Sequence, residues 1–142
     1  MLFRKIENYI ENHLQFNTNK ILIVDGARQI GKSFIIRHVA QRLYKNYIEI
    51  NMEEDKLGNK IFAEAKTVND FYLALSVTAG DRMKEKSDTL VFIDEIQAYD
   101  HLLTLLKFLK EDDKYNYIAS GSLLGVTLAN TSSIPLGSIQ IK

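Results

Sequence analysis

Cysteine and tryptophan are absent from this 142-residue chain, and proline occurs once. Without cysteine there is no disulfide and no thiolate metal site, and a reducing cytoplasm is the expected compartment. An excess of one charge is missing too. Lys plus Arg and Asp plus Glu number 18 each, for a formal net charge of +0, so no global field recommends DNA, RNA or anionic lipid as a partner. No apolar run approaches the roughly 18 residues that span a bilayer. Residues 1–15 carry Glu7 and Glu11 where a signal peptide would have an apolar core. What remains is an ordinary globular composition, 46% hydrophobic and 25% charged, in a chain long enough for one domain.

Apolar periodicity divides the chain into alternating elements. Leu2, Phe3, Ile6, Tyr9, Ile10, His13 and Leu14 recur at three- and four-residue steps, which predicts an N-terminal amphipathic helix within residues 1–17. Residues 21–24 are wholly apolar, as in a strand covered on both faces. A helix is expected over residues 33–44, with Ile36, Val39, Ala40 and Leu43 on one face, and a strand over 47–51. The charged residues 53–60 read as a loop, and 68–83 as a helix presenting Phe71, Leu75 and Ala79. Residues 90–93 read as a strand, 101–110 as a Leu-rich helix and 115–119 as a fourth strand. Beyond it a short helix over 123–128, a polar loop over 129–133 and a fifth strand over 138–141 are expected. Strands alternating with helices predict an α/β fold with a parallel sheet and right-handed crossovers. The chain stops directly after its last strand-like run, so residues 1–142 are expected to be one domain cut from a longer protein.

Residues 26–33 read Gly26-Ala27-Arg28-Gln29-Ile30-Gly31-Lys32-Ser33. This is a complete G-x-x-x-x-G-K-[ST] phosphate loop, between a strand and a helix as the motif requires. A polyphosphate concentrates negative charge, and glycines at 26 and 31 let successive backbone N–H groups point inward around it. The following helix adds the positive end of its dipole. Residues Gly26 to Phe34 are thus the expected nucleotide cradle. Lys32 is expected to reach the β- and γ-phosphates, and the Ser33 hydroxyl to ligate Mg²⁺.

The strand Leu90-Val91-Phe92-Ile93 runs into Asp94 and Glu95. Asp94 is expected to hold Mg²⁺ opposite Ser33, and Glu95 to orient or deprotonate an attacking water. Ser120 and Ser122 flank Gly121 at the tip of the fourth strand, on the same carboxyl edge. Either hydroxyl suits the γ-phosphate or its attacking water, with Ser120 preferred as the strand's last residue. A Ser-Gly-Ser turn bonding its own backbone is the alternative. Lys32, Glu95 and Ser120 are therefore the catalytic candidates, and Ser33 and Asp94 the metal ligands. His13, His38 and His101 have no ligand spacing.

The string Asp25-Gly26-Ala27-Arg28-Gln29-Ile30-Gly31-Lys32-Ser33 resembles the GARQxGK[ST] loop of a prokaryotic group of AAA+-type ATPases. Val91-Phe92-Ile93-Asp94-Glu95-Ile96-Gln97 resembles that group's hhhDEIQ strand. Ser120-Gly121-Ser122, with Ile134-Pro135-Leu136-Gly137-Ser138, is similar to its GSS…lxGR segment. The resemblance covers the chain from Lys20 onward and implies a three-layer P-loop NTPase of ASCE type with strand order 5-1-4-3-2. It also implies ATP and Mg²⁺ as ligands, and it puts Ser120 near the sensor-1 position. Members usually continue into a C-terminal domain. Ser138 stands where many have arginine, which leaves no sensor 2 or arginine finger to assign here.

Hydrolysis of Mg-ATP, coupled to a partner, to self-association or to a C-terminal domain beyond these residues, is the leading expectation. Turnover by the chain alone should be slow, because an arginine finger contributes about 10³–10⁵ in rate. A small-molecule or nucleotide kinase uses the same loop, but no Arg-rich lid is evident and the carboxylate after Asp94 favours water as acceptor. A nucleotide-binding module without turnover is the third reading. GTP is disfavoured, since no Asn-Lys-x-Asp string occurs.

Overall fold

The apolar run after residue 20 forms strand β1 (Leu22–Gly26), with Leu22, Ile23 and Val24 all fully buried. A β-branched run buried on both faces needs a layer of helices above and below. The computed structural model, which describes residues 2–16, 21–26, 31–122 and 137–141, supplies both layers. Strands β2 (Asn46–Asn51), β3 (Thr89–Asp94) and β4 (Asn116–Gly121) join β1 in the order β1-β4-β3-β2, all parallel. The backbone of β5 (Gly137–Ile141) pairs in parallel along the free side of β1.

Alternate residues of the strands face opposite layers. Leu22, Val24, Leu90, Phe92 and Ile118 pack under α1 (Leu2–Phe16) and α2 (Lys32–Leu43), meeting Ile6, Ile10, Ile36 and Val39. Ile23, Ile48, Ile50, Val91, Ile93 and Ala119 face α4 (Val68–Ala79) and α5 (Asp100–Asp112), with Phe71, Leu75, Leu102 and Leu106. In α1 the buried stripe runs through Ile6, Ile10 and His13, leaving Tyr9 at its flank 46% exposed. A polar tie joins α1 to α2: Arg42 donates to Glu7 at 2.8 Å and also to Glu11. The Arg42 hydrogen bond holds the Glu7 carboxyl below its ordinary value. Among the described residues no helix is long and apolar enough to cross a membrane.

Two expectations from the sequence are corrected. The charged stretch after β2 is not all loop, because residues Met52–Leu57 form helix α3. The Asn51 side chain accepts from the Glu54 N–H at 3.0 Å, and Glu53, Glu54 and Asp55 occupy the first turn, where the helix dipole favours carboxylates. Helix α4 stops at Ala79 instead of 83, because Gly80 takes φ 59° and its N–H closes on the Ser76 carbonyl. The helix expected over 123–128 and the loop expected over 129–133 lie outside the described residues.

Asp55 closes the turn after α3. Its carboxylate accepts from the N–H groups of Ile61 (3.0 Å) and Phe62 (2.9 Å) and from the Tyr99 hydroxyl (2.9 Å). Burial, then the bond to Asp55, pushes the Tyr99 phenol up to about 12, so it remains a donor. Asp55→Ala leaves three donors without this acceptor and should cost about 2–4 kcal/mol. Urea unfolding measures it, and a loss under about 1 kcal/mol would mean that water replaces the carboxylate at all three donors.

Candidate functional site

Parallel strands end at one edge, and the register brings Asp25 beside Gly121 and Asn51 beside Asp94. At this edge Gly26 ends β1 and Gly31 opens α2. Gly31 has φ 73°, in the left-handed region that only glycine enters cheaply. Space is not the constraint, since a Cβ there would meet nothing within 4 Å. The first turn of α2 contains no acidic residue, so no carboxylate in that turn offsets the positive end of its dipole.

Lys32, the first residue of α2, is 2% exposed. A buried ammonium needs oxygen acceptors to offset its lost hydration. Its Nζ donates to the Gly26 carbonyl, the Gly121 carbonyl (2.6 Å) and the Ser122 hydroxyl (3.0 Å). The charge therefore sits between the tips of β1 and β4. Ser33, half-buried, donates from Oγ to Asp94 Oδ2 at 3.1 Å.

The two oxygens of Asp94 have different environments. Oδ1 accepts from the Ser120 hydroxyl at 2.6 Å and from the Glu95 N–H at 2.9 Å, while Oδ2 faces Ser33. One oxygen is anchored and the other is presented. Ser120 is fully buried, with its hydroxyl donated to Asp94. Glu95 has φ 54° and ψ 47°, an uncommon conformation for a residue with a Cβ. That backbone turns the chain out of the strand into a short 3₁₀ turn, Ile96–Ala98. The Glu95 carboxylate accepts from Gln97 Nε2 at 2.6 Å, and Gln97 Oε1 accepts from the Ser122 N–H at 3.2 Å.

A cleft of about 310 Å³ is lined by Lys32, Ser33, Asn51, Glu53, Glu54, Leu57 and Glu95. Its chemistry fits magnesium. Mg²⁺ takes one or two protein oxygens and completes its shell with water and phosphate oxygens, and Ser33 with Asp94 provides such a pair. Among the described residues no group of three or more His, Cys, Asp or Glu that could hold a metal ion occurs.

A family model described as an AAA domain matches residues 18–141. The chain belongs to the AAA domain family. This AAA domain is also similar in fold to the solved structure of PCH-2 from C. elegans, with a TM-score of 0.57 at 15% sequence identity. The match covers 98% of this chain and 42% of that one. No curated protein matches it in sequence.

Of the residues singled out from sequence, the AAA domain brings Gly26, Gly31, Lys32, Ser33, Asp94, Glu95 and Ser120 to one edge. Phe34 follows Ser33 on α2, is 57% exposed and stacks on His38. Ala27, Arg28, Gln29 and Ile30 lie outside the described residues. Sequence reasoning did not select Gln97 as a site residue, although it stands two positions after Glu95, and ranked Ser120 above Ser122. The structure puts Ser122 on Lys32 and Ser120 on Asp94.

Proposed function

We propose that this AAA domain binds Mg-ATP in the cleft between the start of α2 and the end of β3, and hydrolyses it. One observation carries the reading: the Ser33 hydroxyl and the Asp94 carboxylate meet at 3.1 Å beside the buried Lys32 ammonium. Two hard oxygens and one cation, with a helix N-terminus that has no side-chain cap, match a magnesium–polyphosphate. In this reading the sheet is of ASCE type with order 5-1-4-3-2, and the pairing of β5 beside β1 supports it.

Lys32 holds the β- and γ-phosphates, exchanging contacts at the strand tips for phosphate oxygens. Ser33 and Asp94 would hold Mg²⁺, which would supply charge neutralisation at the phosphates. Ser120 keeps Asp94 oriented. Glu95, beside the cleft and one residue past the metal-binding carboxylate, orients and deprotonates water. Turnover acts on a C-terminal domain, a second copy or another partner.

Calorimetry with ATP, with and without Mg²⁺, and a phosphate-release assay test this. Asp94→Asn should lower turnover by about 10²-fold, in line with the several kcal/mol a metal ion supplies. Binding and turnover indifferent to EDTA and to Asp94→Asn would remove the reading.

A further inference from the structure

Gln97 bridges two groups that the proposed hydrolysis must keep in register. Its Nε2 donates to Glu95 and its Oε1 accepts from the backbone N–H of Ser122, the residue whose hydroxyl accepts from Lys32. A primary amide has a donor end and an acceptor end. Turned over, it would set an oxygen against the carboxylate and an NH₂ against an N–H. Both neighbours thus enforce one orientation.

The surroundings make that orientation matter. Glu95 is 6% exposed, and its backbone is fixed in the left-handed region with its N–H bonded to Asp94. The side chain accordingly leaves a fixed point, and its remaining freedom is rotation about its own bonds. The Gln97 hydrogen bond restricts that rotation. The same amide joins the carboxylate to the tip of β4, where Lys32 is seated on Gly121 and Ser122. A phosphate that draws Lys32 from the Ser122 hydroxyl takes one hydrogen bond from the residue on which Gln97 is braced.

We propose that Gln97 is a positioning residue for Glu95, its side-chain amide tying the carboxylate to the Ser122 end of β4 and so to the seat of Lys32. The inference rests on the hydrolytic reading of Glu95 and goes beyond it by naming the group that aims the carboxylate.

Two substitutions test it in the full chain. Gln97→Met keeps approximate volume and loses both bonds. Gln97→Glu keeps an acceptor for the Ser122 N–H and replaces the donor to Glu95 with a like charge. Both should lower kcat about 10–100-fold, the cost of misplacing a reacting group by around an ångström. The Kd for Mg-ATP should stay within about threefold of wild type, since the loss is one made at the reacting centre. A simple brace of β4 predicts otherwise: Gln97→Glu would then keep the wild-type rate while Gln97→Met would not. That result overturns the proposal, as does a wild-type kcat in both.

A second measurement needs neither turnover nor a stable Gln97 variant. In the ligand-free protein the Gln97 side-chain NH₂ protons should resonate downfield of a solvated amide and move back in Glu95→Ala. An NH₂ signal indifferent to Glu95→Ala overturns the proposal. Absence of Mg-ATP binding in wild type would instead refute the functional reading, while the amide signal still decides the Gln97–Glu95 contact.

Discussion

Lys32→Ala is expected to weaken Mg-ATP binding by about 10²-fold or more. Charge-assisted hydrogen bonds contribute about 1.5–3 kcal/mol each, and Lys32 is placed to give two to phosphate. Part of that gain is offset, because the ammonium surrenders oxygens it already holds, chiefly the Ser122 hydroxyl at 3.0 Å. A net loss near 3 kcal/mol corresponds to about 10²-fold in Kd. The same substitution strips the Gly26 and Gly121 carbonyls of a shared donor, so circular dichroism and a urea midpoint should accompany the calorimetry. Heat equal to that of wild type, from a folded variant, would mean that the nucleotide sits elsewhere.

Glu95→Gln should have the opposite signature. Removing a positioned proton acceptor costs about 10²–10⁴ in rate, whereas Lys32, Ser33 and Asp94 are untouched, so Mg-ATP should bind within about threefold of wild type. The substitution keeps a carbonyl oxygen able to accept from Gln97, which limits rearrangement to the lost charge. Phosphate release under single-turnover conditions, with binding measured in parallel, separates the two steps. Unchanged turnover would take Glu95 out of the chemistry and leave Asp94 as the acidic group of interest.

The sequence reveals β1 and β3 because each has a run that is wholly apolar, as in Leu90 to Ile93, and β2 because Ile48 and Ile50 alternate with polar residues. The core faces of α2 and α4 follow from four-residue spacing, and Phe71, Leu75 and Ala79 are buried as that spacing implies. Helix α3 is harder to see because six charged or flanking residues show no apolar period. Its signal is local: Asn51 followed three residues later by Glu54 is a cap signature, as Thr67 and Asp70 are for α4. The candidate site is legible to the level of Lys32, Ser33, Asp94 and Glu95, since the motif fixes their order along the chain. Which serine serves which partner is not legible. That depends on β4 lying beside both β3 and β1, contacts set by topology across 26 and 90 residues of sequence. Gln97 is hidden for a different reason. Its reach back to Glu95 requires the left-handed turn at residue 95, and nothing in a glutamate side chain announces that conformation.

Helix α3 brings Glu53 and Glu54 to the wall of the cleft that Lys32 also lines. Naked ATP would meet these carboxylates as a polyanion facing anions, with Lys32 as the cation among the described lining residues. Once complexed with a divalent ion it arrives with much of that repulsion cancelled. If the cleft takes Mg-ATP as proposed, this wall would favour the complexed nucleotide over the free one. Raising ATP above the available magnesium should add little inhibitory competition from the uncomplexed species.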